Sequence, residues 1–514
     1  MEGIDNIPKI SVIIPVRNGA QMNKVKVLLI DPSGIFYDEI ERSKPASPHL
    51  GLAYIRSFLK RECNAEIRIV EMSPSRFSVK DIKKIVTSYC PDLVGLTART
   101  VNILAAYNVA KAIKEIQSKT IIVLGGAHGT ALPALTLSEC EHLNAVIRGE
   151  GEITMKEIVT RLSEGIHSDE LFSGISGLTY RAQNGGIINE IERELIVELD
   201  ILPFPDYSIY DLNLYNKVYN PLTHRFDMKF PILSSRGCPY QCTFCMPVLK
   251  RKVRYRSVLN VIQEIELMSQ RYNARRLYFE DSTFAVNRKW FEEFCQEFTS
   301  RGLHRKMQWG FETRIELVQD EDIFKIAKEA GCSLIFFGIE SGNEDVLHCA
   351  KKNFTKNQVR KAVQLAKAAG IDNVAGSFIF GLPCETKNTI EETIELIREL
   401  QLDVVNLNIL DIYPGTELYD MVDRGVGGIR WLPGMRNNWS SYSRRSCQTV
   451  VNDLAEQDLI GGLNRAFQVG WLSREKVLST NFAHQAIAFF LYYLKNDPKQ
   501  LVKYGRNLFF RRWI

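Results

Sequence analysis

The chain is expected to fold as an α/β protein in two successive units. These are an open parallel sheet over 25–165 and a partial (β/α)6 barrel over 231–415, followed by a mainly helical region over 416–514. Three observations predict this. Short apolar runs alternate with stretches of helical period in both units, the arrangement that builds a parallel sheet covered by helices. In the second unit the alternation counts to six strands in βα order, three-quarters of an eight-stranded barrel. The 514 residues also exceed what one hydrophobic core normally holds.

Residues 1–24 are a leader to which no role is assigned. The strands of the first unit are KVKVLLI, EIRIVE, DLVGL, TIIVLGG and NAVIRGEG, separated by periodic segments such as 51–60 and 102–117. A sheet of this kind binds its ligand beyond the carboxyl ends of the strands. Those ends are Asp31 to Gly34, Thr97 to Thr100, Gly125 to His128 and Gly149 to Glu152. Residues 166–230 read as a connector with a few strands, and the prolines of ILPFPDYSIYDL favour an extended path over a surface. The barrel strands are PILSSRG, RRLYFED, MQWGFETR, SLIFFGIE, VAGSFIFG and VVNLNIL. Ser257 is placed to cap a helix over 257–272 with Val258, Val261, Ile262, Ile265 and Met268 on one face. Further helices are expected near 288–300, 320–330, 355–369 and 389–400, with the chemistry at the carboxyl ends of the strands.

The stretch SSRGCPYQCTFC puts Cys238, Cys242 and Cys245 on the loop after the first barrel strand. Thiolates favour iron–sulfur clusters, zinc and copper(I). A cubane held by three cysteines keeps one iron open to a small molecule. The alternative is a structural zinc completed by a distant histidine such as His224, although zinc sites more often come in CxxC pairs. The CxxxCxxC spacing, with Phe244 before the last cysteine, resembles the cluster loop of the radical S-adenosylmethionine superfamily. The segments FFGIESGNEDVL, GSFIFGLPCETKNTIEET and IYPGTELYD are similar to later parts of that superfamily, in the same order.

The resemblance implies a 4Fe–4S cluster on the three cysteines. S-adenosylmethionine would chelate the open iron and be cleaved reductively, with electrons from an external donor of flavodoxin or ferredoxin type. The residues expected to contact it are Phe244 and the strand-ending Glu280, Asp281, Glu312, Arg314, Glu340 and Ser341. Carboxylates suit its ammonium, Arg314 its carboxylate through a forked contact, and Glu340 or Ser341 its ribose. Some of these charges would instead only pair with one another across the mouth. No catalytic residue is assigned.

The first unit resembles the cobalamin-binding subgroup of the same superfamily. The likeness is spread over SPHLGLAYIRSFLKRECNAEIRIVEM, PDLVGLTARTVNILAAYNVAKAIK, VLGGAHGTALP and AVIRGEGEITMKEIVTRL. It implies a Rossmann-like cobalamin domain. Gly125 and Gly126 would clear space for the macrocycle or its nucleotide tail, Thr97 and Thr100 would donate to phosphate or amides, and Glu150 would lie on the same rim. After the first strand comes DPSGIFYDEI, without the DxHxxG histidine of many cobalamin proteins. Cobalt without a protein histidine ligand is therefore expected, His49 and His128 being the nearest candidates. The implied activity is C-methylation of an unactivated carbon in a small-molecule or lipid-like biosynthetic intermediate. Its rivals are a radical oxidative cyclase or ring-rearranging enzyme, and a non-catalytic iron–sulfur or cobalamin sensor.

Net charge is +5, too small for its size to point to nucleic acid. No run approaches the ~20 apolar residues of a membrane span. The leader's PKISVIIPVRNGA resembles the opening strand of family 2 glycosyltransferases, and its acidic start and Arg17 do not make a secretory signal. Eleven scattered cysteines read as the reduced thiols of a cytoplasmic protein. Cys349 is expected to be dispensable, and Cys384 a tolerated small residue in the tight loop from Gly381. Trp431, Trp439, Tyr442 and Arg444 are candidates for a substrate pocket. The aromatic, basic tail ending in NLFFRRWI either packs on the barrel or makes a peripheral membrane contact.

Overall fold

The computed structural model describes residues 23–33, 47–215, 217–220, 225–246, 248–442 and 447–471. Most of the leader, His224, Arg444 and the aromatic tail lie outside these residues.

All five strands expected in the first unit form, and they are parallel. Their order across the sheet is Ala65–Glu71, Val25–Asp31, Leu93–Thr97, Ile121–Gly125 and Ala145–Ile147. The chain thus crosses over after its second strand, and the strand order reverses beside Val25–Asp31. A crevice opens there beyond the carboxyl ends, where Asp31 and Thr97 stand. Both faces of the sheet are covered, with Leu28, Ile30, Val94, Leu96, Ile122 and Leu124 on one side and Val27, Leu29, Leu93, Val123 and Ala145 on the other. That two-sided burial is why these strands read as continuous apolar runs. The first part of the connector belongs to this sheet: Leu178–Arg181 pairs antiparallel with Ala145–Ile147, and Ile187–Asn189 pairs with Leu178–Arg181.

The barrel strands lie in sequence order: Phe230–Ile232, Arg276–Phe279, Gln308–Thr313, Cys332–Glu340, Asn373–Phe380 and Val404–Ile409, each parallel to the next. The five expected helices follow at Val258–Tyr272, Arg288–Ser300, Glu321–Glu329, Lys356–Ala368 and Lys387–Leu400. Ser257 caps the first of them, its side chain accepting from the Asn260 N–H. The described part of the C-terminal region includes helices Glu417–Arg424 and Glu456–Trp471 and an antiparallel pair, Ile429–Trp431 with Thr449–Val451. Helix Glu456–Trp471 lies against the last two strands and helix Lys387–Leu400, with Gly462 and Gly470 admitting Ile390 and Val405. Among the described residues no helix is long and apolar enough to cross a membrane.

One cysteine expectation is overturned. Cys349 and Cys384 form a disulfide. Cys349 ends helix Glu344–Cys349 after the fourth barrel strand, and Cys384 sits in the loop after the fifth. Neighbouring strands bring these two loops together at the mouth, which no spacing within a single motif announces.

Candidate cofactor site

The cysteine loop is a hairpin closed at its base. Ser235 pairs with Tyr255 and Arg236 with Arg254. Gly237 follows at φ 94°, where a Cβ would lie 2.3 Å from the Lys252 carbonyl, so no other residue fits. The Cys238 N–H donates to the Lys250 carbonyl at 3.3 Å, and the Cys245 N–H to the Cys242 carbonyl at 3.2 Å. The loop is propped from outside: the Thr243 N–H donates to the Ala350 carbonyl and the Thr243 carbonyl accepts from Leu418 N–H.

Cys242 is buried, Cys238 half-buried and Cys245 exposed. Although the residue is exposed, the surrounding walls strip much of the hydration from its thiol. That desolvation, then the neighbouring Cys242, pushes its thiol up to about 11. Among the described residues no three His, Cys, Asp or Glu side chains converge on one point that could hold a metal ion. A cubane takes each cysteine on a different iron, so it does not need the three sulfurs to meet at one point. The triad fits a cluster.

The strand-ending residues divide sharply. Arg314 goes to the cysteine loop: its Nη1 lies 2.9 Å from Cys242 Sγ, its guanidinium 4.0 Å from the centre of the Tyr240 ring, and Glu316 pairs with it. Asp281 is buried and accepts from the Ser234 N–H at 3.0 Å and from the hydroxyls of Ser234 and Ser235. It locks the entry to the cysteine loop instead of reaching into the mouth. Glu340, at φ 68°, accepts from Lys352 Nζ at 2.6 Å and Ser377 Oγ at 2.9 Å. Ser341 is fully buried, its hydroxyl facing Thr393. Phe244 packs against the barrel core beneath Lys352. Glu280 and Glu312 are exposed, and their carboxylates make no hydrogen bond or ion pair among the described residues. The walls of the mouth strip hydration from the Glu312 carboxylate, and that desolvation, then the neighbouring Glu340, raises it to about 7.

Two adjoining cavities lie between the units. The smaller, about 220 Å³, is lined by Thr97, Gly125, Gly126, Gly149, Glu150 and Met155 from the first sheet and by Leu233, Arg236 and Leu249 from the barrel. The larger, about 710 Å³, is lined by Asp31, Ser33, His49, Glu71, Thr97 and Arg99, with Glu280 on the barrel side. At Gly125 a Cβ would project into the space, meeting only the Leu96 carbonyl at 4.0 Å. Gly126 differs: at φ 99° its Cβ would collide with the Ala98 backbone, so that glycine serves the turn. This cleared, mostly apolar cleft fits a large flat ligand.

Two other expectations for this unit change. The Thr100 hydroxyl is taken by His128 Nδ1 at 3.2 Å, and both residues are buried. Glu150 is committed to Arg236, Arg254 and the Ile196 N–H. His49 Nδ1 accepts from the Leu52 N–H, capping helix Leu50–Glu62, which leaves its proton on Nε2. His128 is 1% exposed and stacks edge-on against Trp439 at 4.8 Å. His128 lines neither cavity, whereas His49 lines both.

Sequence spacing missed Arg236, Arg254 and Lys352. The only hint lay in arginines flanking the cysteine loop on both sides.

Residues 232–397 match the Radical SAM superfamily and residues 41–159 the B12 binding domain. The chain is 36% identical over 433 residues to an uncharacterised methyltransferase of Pyrococcus horikoshii, covering 84% of this chain and 89% of that one. It is 30% identical to an anaerobic magnesium-protoporphyrin IX monomethyl ester cyclase of Rubrivivax gelatinosus, over 72% of this chain and 66% of the cyclase. Among solved structures, the radical S-adenosylmethionine methyltransferase TsrM from Kitasatospora setae, with cobalamin and a [4Fe–4S] cluster bound, superposes with a TM-score of 0.66. It shares 17% identity and the match covers 87% and 89% of the two chains, a likeness of fold. The chain belongs to the cobalamin-dependent radical S-adenosylmethionine enzymes of the methyltransferase family, whose cofactors are a 4Fe–4S cluster, S-adenosylmethionine and cobalamin.

Proposed function

We propose that this chain methylates an unactivated carbon of a small biosynthetic intermediate. One observation carries the reading: the cleft at the carboxyl ends of the first sheet is closed by Leu233, Arg236 and Leu249, residues of the loop that bears Cys238, Cys242 and Cys245. A carrier in that cleft therefore faces the barrel mouth.

When bound, the cluster with S-adenosylmethionine supplies hydrogen abstraction and cobalamin supplies the methyl group. The chain's own residues do the rest. Cys238, Cys242 and Cys245 would hold the cluster, and Arg314 donates to the Cys242 sulfur. Glu312, and Glu280 beside it, accept the ammonium of S-adenosylmethionine. Gly125 and Thr97 would line the cobalamin cleft, and the missing DxHxxG histidine supports cobalt held without a protein histidine ligand. On the sixth strand Val405 is buried against helix Glu456–Trp471 while Asn406 and Asn408 are exposed on the opposite side. With Glu312 they give the mouth a polar wall that suits a substrate carrying hydrogen-bonding groups. Electrons come from an external flavodoxin or ferredoxin type donor.

The similarity to an oxidative cyclase supports a second reading, radical ring closure without methyl transfer. The cluster assignment is tested in the anaerobically reconstituted protein. Each of Cys238→Ala, Cys242→Ala and Cys245→Ala is expected to abolish the 4Fe–4S absorbance and the release of 5′-deoxyadenosine. Retention of both in any one variant would refute it.

A further inference from the structure

The strongest feature outside the expected contacts is a buried ionic network joining the two units. Arg236 Nη1 lies 2.8 Å from Glu150 and its Nη2 2.6 Å from Glu152, while Arg254 Nη1 lies 2.9 Å from both oxygens of Glu150. The side chains of all four residues are 8% exposed or less. Glu150 also accepts from the Ile196 N–H and Arg254 donates to the Ile196 carbonyl, which stitches in the connector. The Arg236 guanidinium sits 5.4 Å from the centre of the Tyr54 ring. Tyr54 belongs to an apolar cluster with Phe58, Ile196, Leu199 and Leu202, flanked by Leu233.

The location of these charges is telling. Arg236 and Arg254 are the paired residues at the base of the cysteine hairpin. Only Gly237, where the Lys252 carbonyl leaves no room for a side chain, separates Arg236 from Cys238. Glu150 and Glu152 belong to the loop that walls the smaller cavity and starts helix Glu152–Ser163. Buried ion pairs are poor sources of net stability, because desolvation offsets their attraction. What the network does supply is direction: Arg236 spans Glu150 and Glu152 with its two terminal nitrogens, and Arg254 Nη1 is shared between Glu150 and the Ile196 carbonyl, contacts that meet in one relative placement of the two loops. The network therefore fixes one cofactor loop against the other.

We propose that Glu150, Glu152, Arg236 and Arg254 are positioning residues that set the separation and tilt between the cobalamin cleft and the cysteine cluster. The inference rests on both cofactors binding as described above. Its test uses the holoenzyme with cob(II)alamin and the reduced cluster present together, and the readout is the paramagnetic relaxation that the cluster imposes on cobalt. In Glu150→Gln and Arg236→Lys, iron and cobalamin contents should match the unaltered protein, while the relaxation rate changes by about twofold or more and its distribution broadens. A steep distance dependence makes that readout sensitive to a small shift, whereas loss of stability alone leaves it unchanged. Should either variant fold poorly, the charge-free pair Glu150→Leu with Arg254→Met keeps the packing, and it too should alter the relaxation.

Three results overturn the proposal. Unchanged relaxation in loaded variants would make the network purely structural. Selective loss of cobalamin from Glu150→Gln would return that carboxylate to the cofactor. Restoration of the original relaxation by the charge-free pair would show that packing, not direction, sets the geometry. If the unaltered protein holds neither cofactor, the functional reading itself fails, and the cofactor analysis shows that first.

Discussion

Glu312 occupies the third barrel strand with its carboxylate turned toward Glu340 and Lys352, close enough to feel both but bonded to neither. Desolvation by the walls of the mouth, and then the like charge of Glu340, raise its titration to about 7 from the ordinary 4.5. The sign of the consequence is fixed. In the unfolded chain the group ionises near 4.5, so folding is opposed increasingly as pH rises from there through 7, and fully above 7. An arriving ammonium reverses this by favouring the charged form. Glu312→Gln should therefore raise the melting temperature of the ligand-free protein at pH 8 and leave it nearly unchanged at pH 4. The same variant should weaken S-adenosylmethionine binding about tenfold or more, the loss of one charge-assisted hydrogen bond. Calorimetric titration and thermal melts check both, and wild-type affinity should fall as pH drops below 7. This residue was visible in the sequence as the end of a strand. Its freedom was not, because Asp281, Glu340 and Arg314 end strands in the same way and are claimed by Ser234, Lys352 and Glu316.

At the scale of elements, the six barrel strands and their five helices were legible because each carries its own period and caps: Ser257, Asn287, Asp320, Thr355 and Thr386 all accept from the first turn of the helix they precede. Contacts between elements were not legible. The link from Cys349 to Cys384 spans 35 residues of sequence and ties the loop after the fifth strand to the helix beside Ala350, the residue that props Thr243. Closing a loop of that length restricts the unfolded chain by about 3–4 kcal/mol in the chain-entropy account. A dithiol reductant should lower the melting temperature of the apoprotein and leave that of the Cys349→Ser, Cys384→Ser double variant unmoved. Equal sensitivity of both proteins would show that the bridge carries no stability.

Across the whole molecule, two sheets present their carboxyl ends to a shared space. The order of the units and the cysteine spacing announced the two cofactor domains, and their sequence resemblance named the cofactors. The docking of one unit on the other depends on Glu150 and Glu152 meeting arginines some 84 to 104 positions away. A run of residues cannot encode such a meeting in its spacing, which is why Glu150 read as a cofactor contact. The central claim is that this shared space transfers a methyl group from S-adenosylmethionine by way of cobalt. It is tested most directly by reacting anaerobically reconstituted, reduced protein with S-adenosylmethionine bearing a trideuterated methyl group, then analysing the bound corrinoid and nucleosides by mass spectrometry. Trideuteromethylcobalamin together with S-adenosylhomocysteine is the expected outcome. Protein that retains cobalamin and releases 5′-deoxyadenosine, yet leaves the corrinoid unlabelled and forms no S-adenosylhomocysteine, would contradict it.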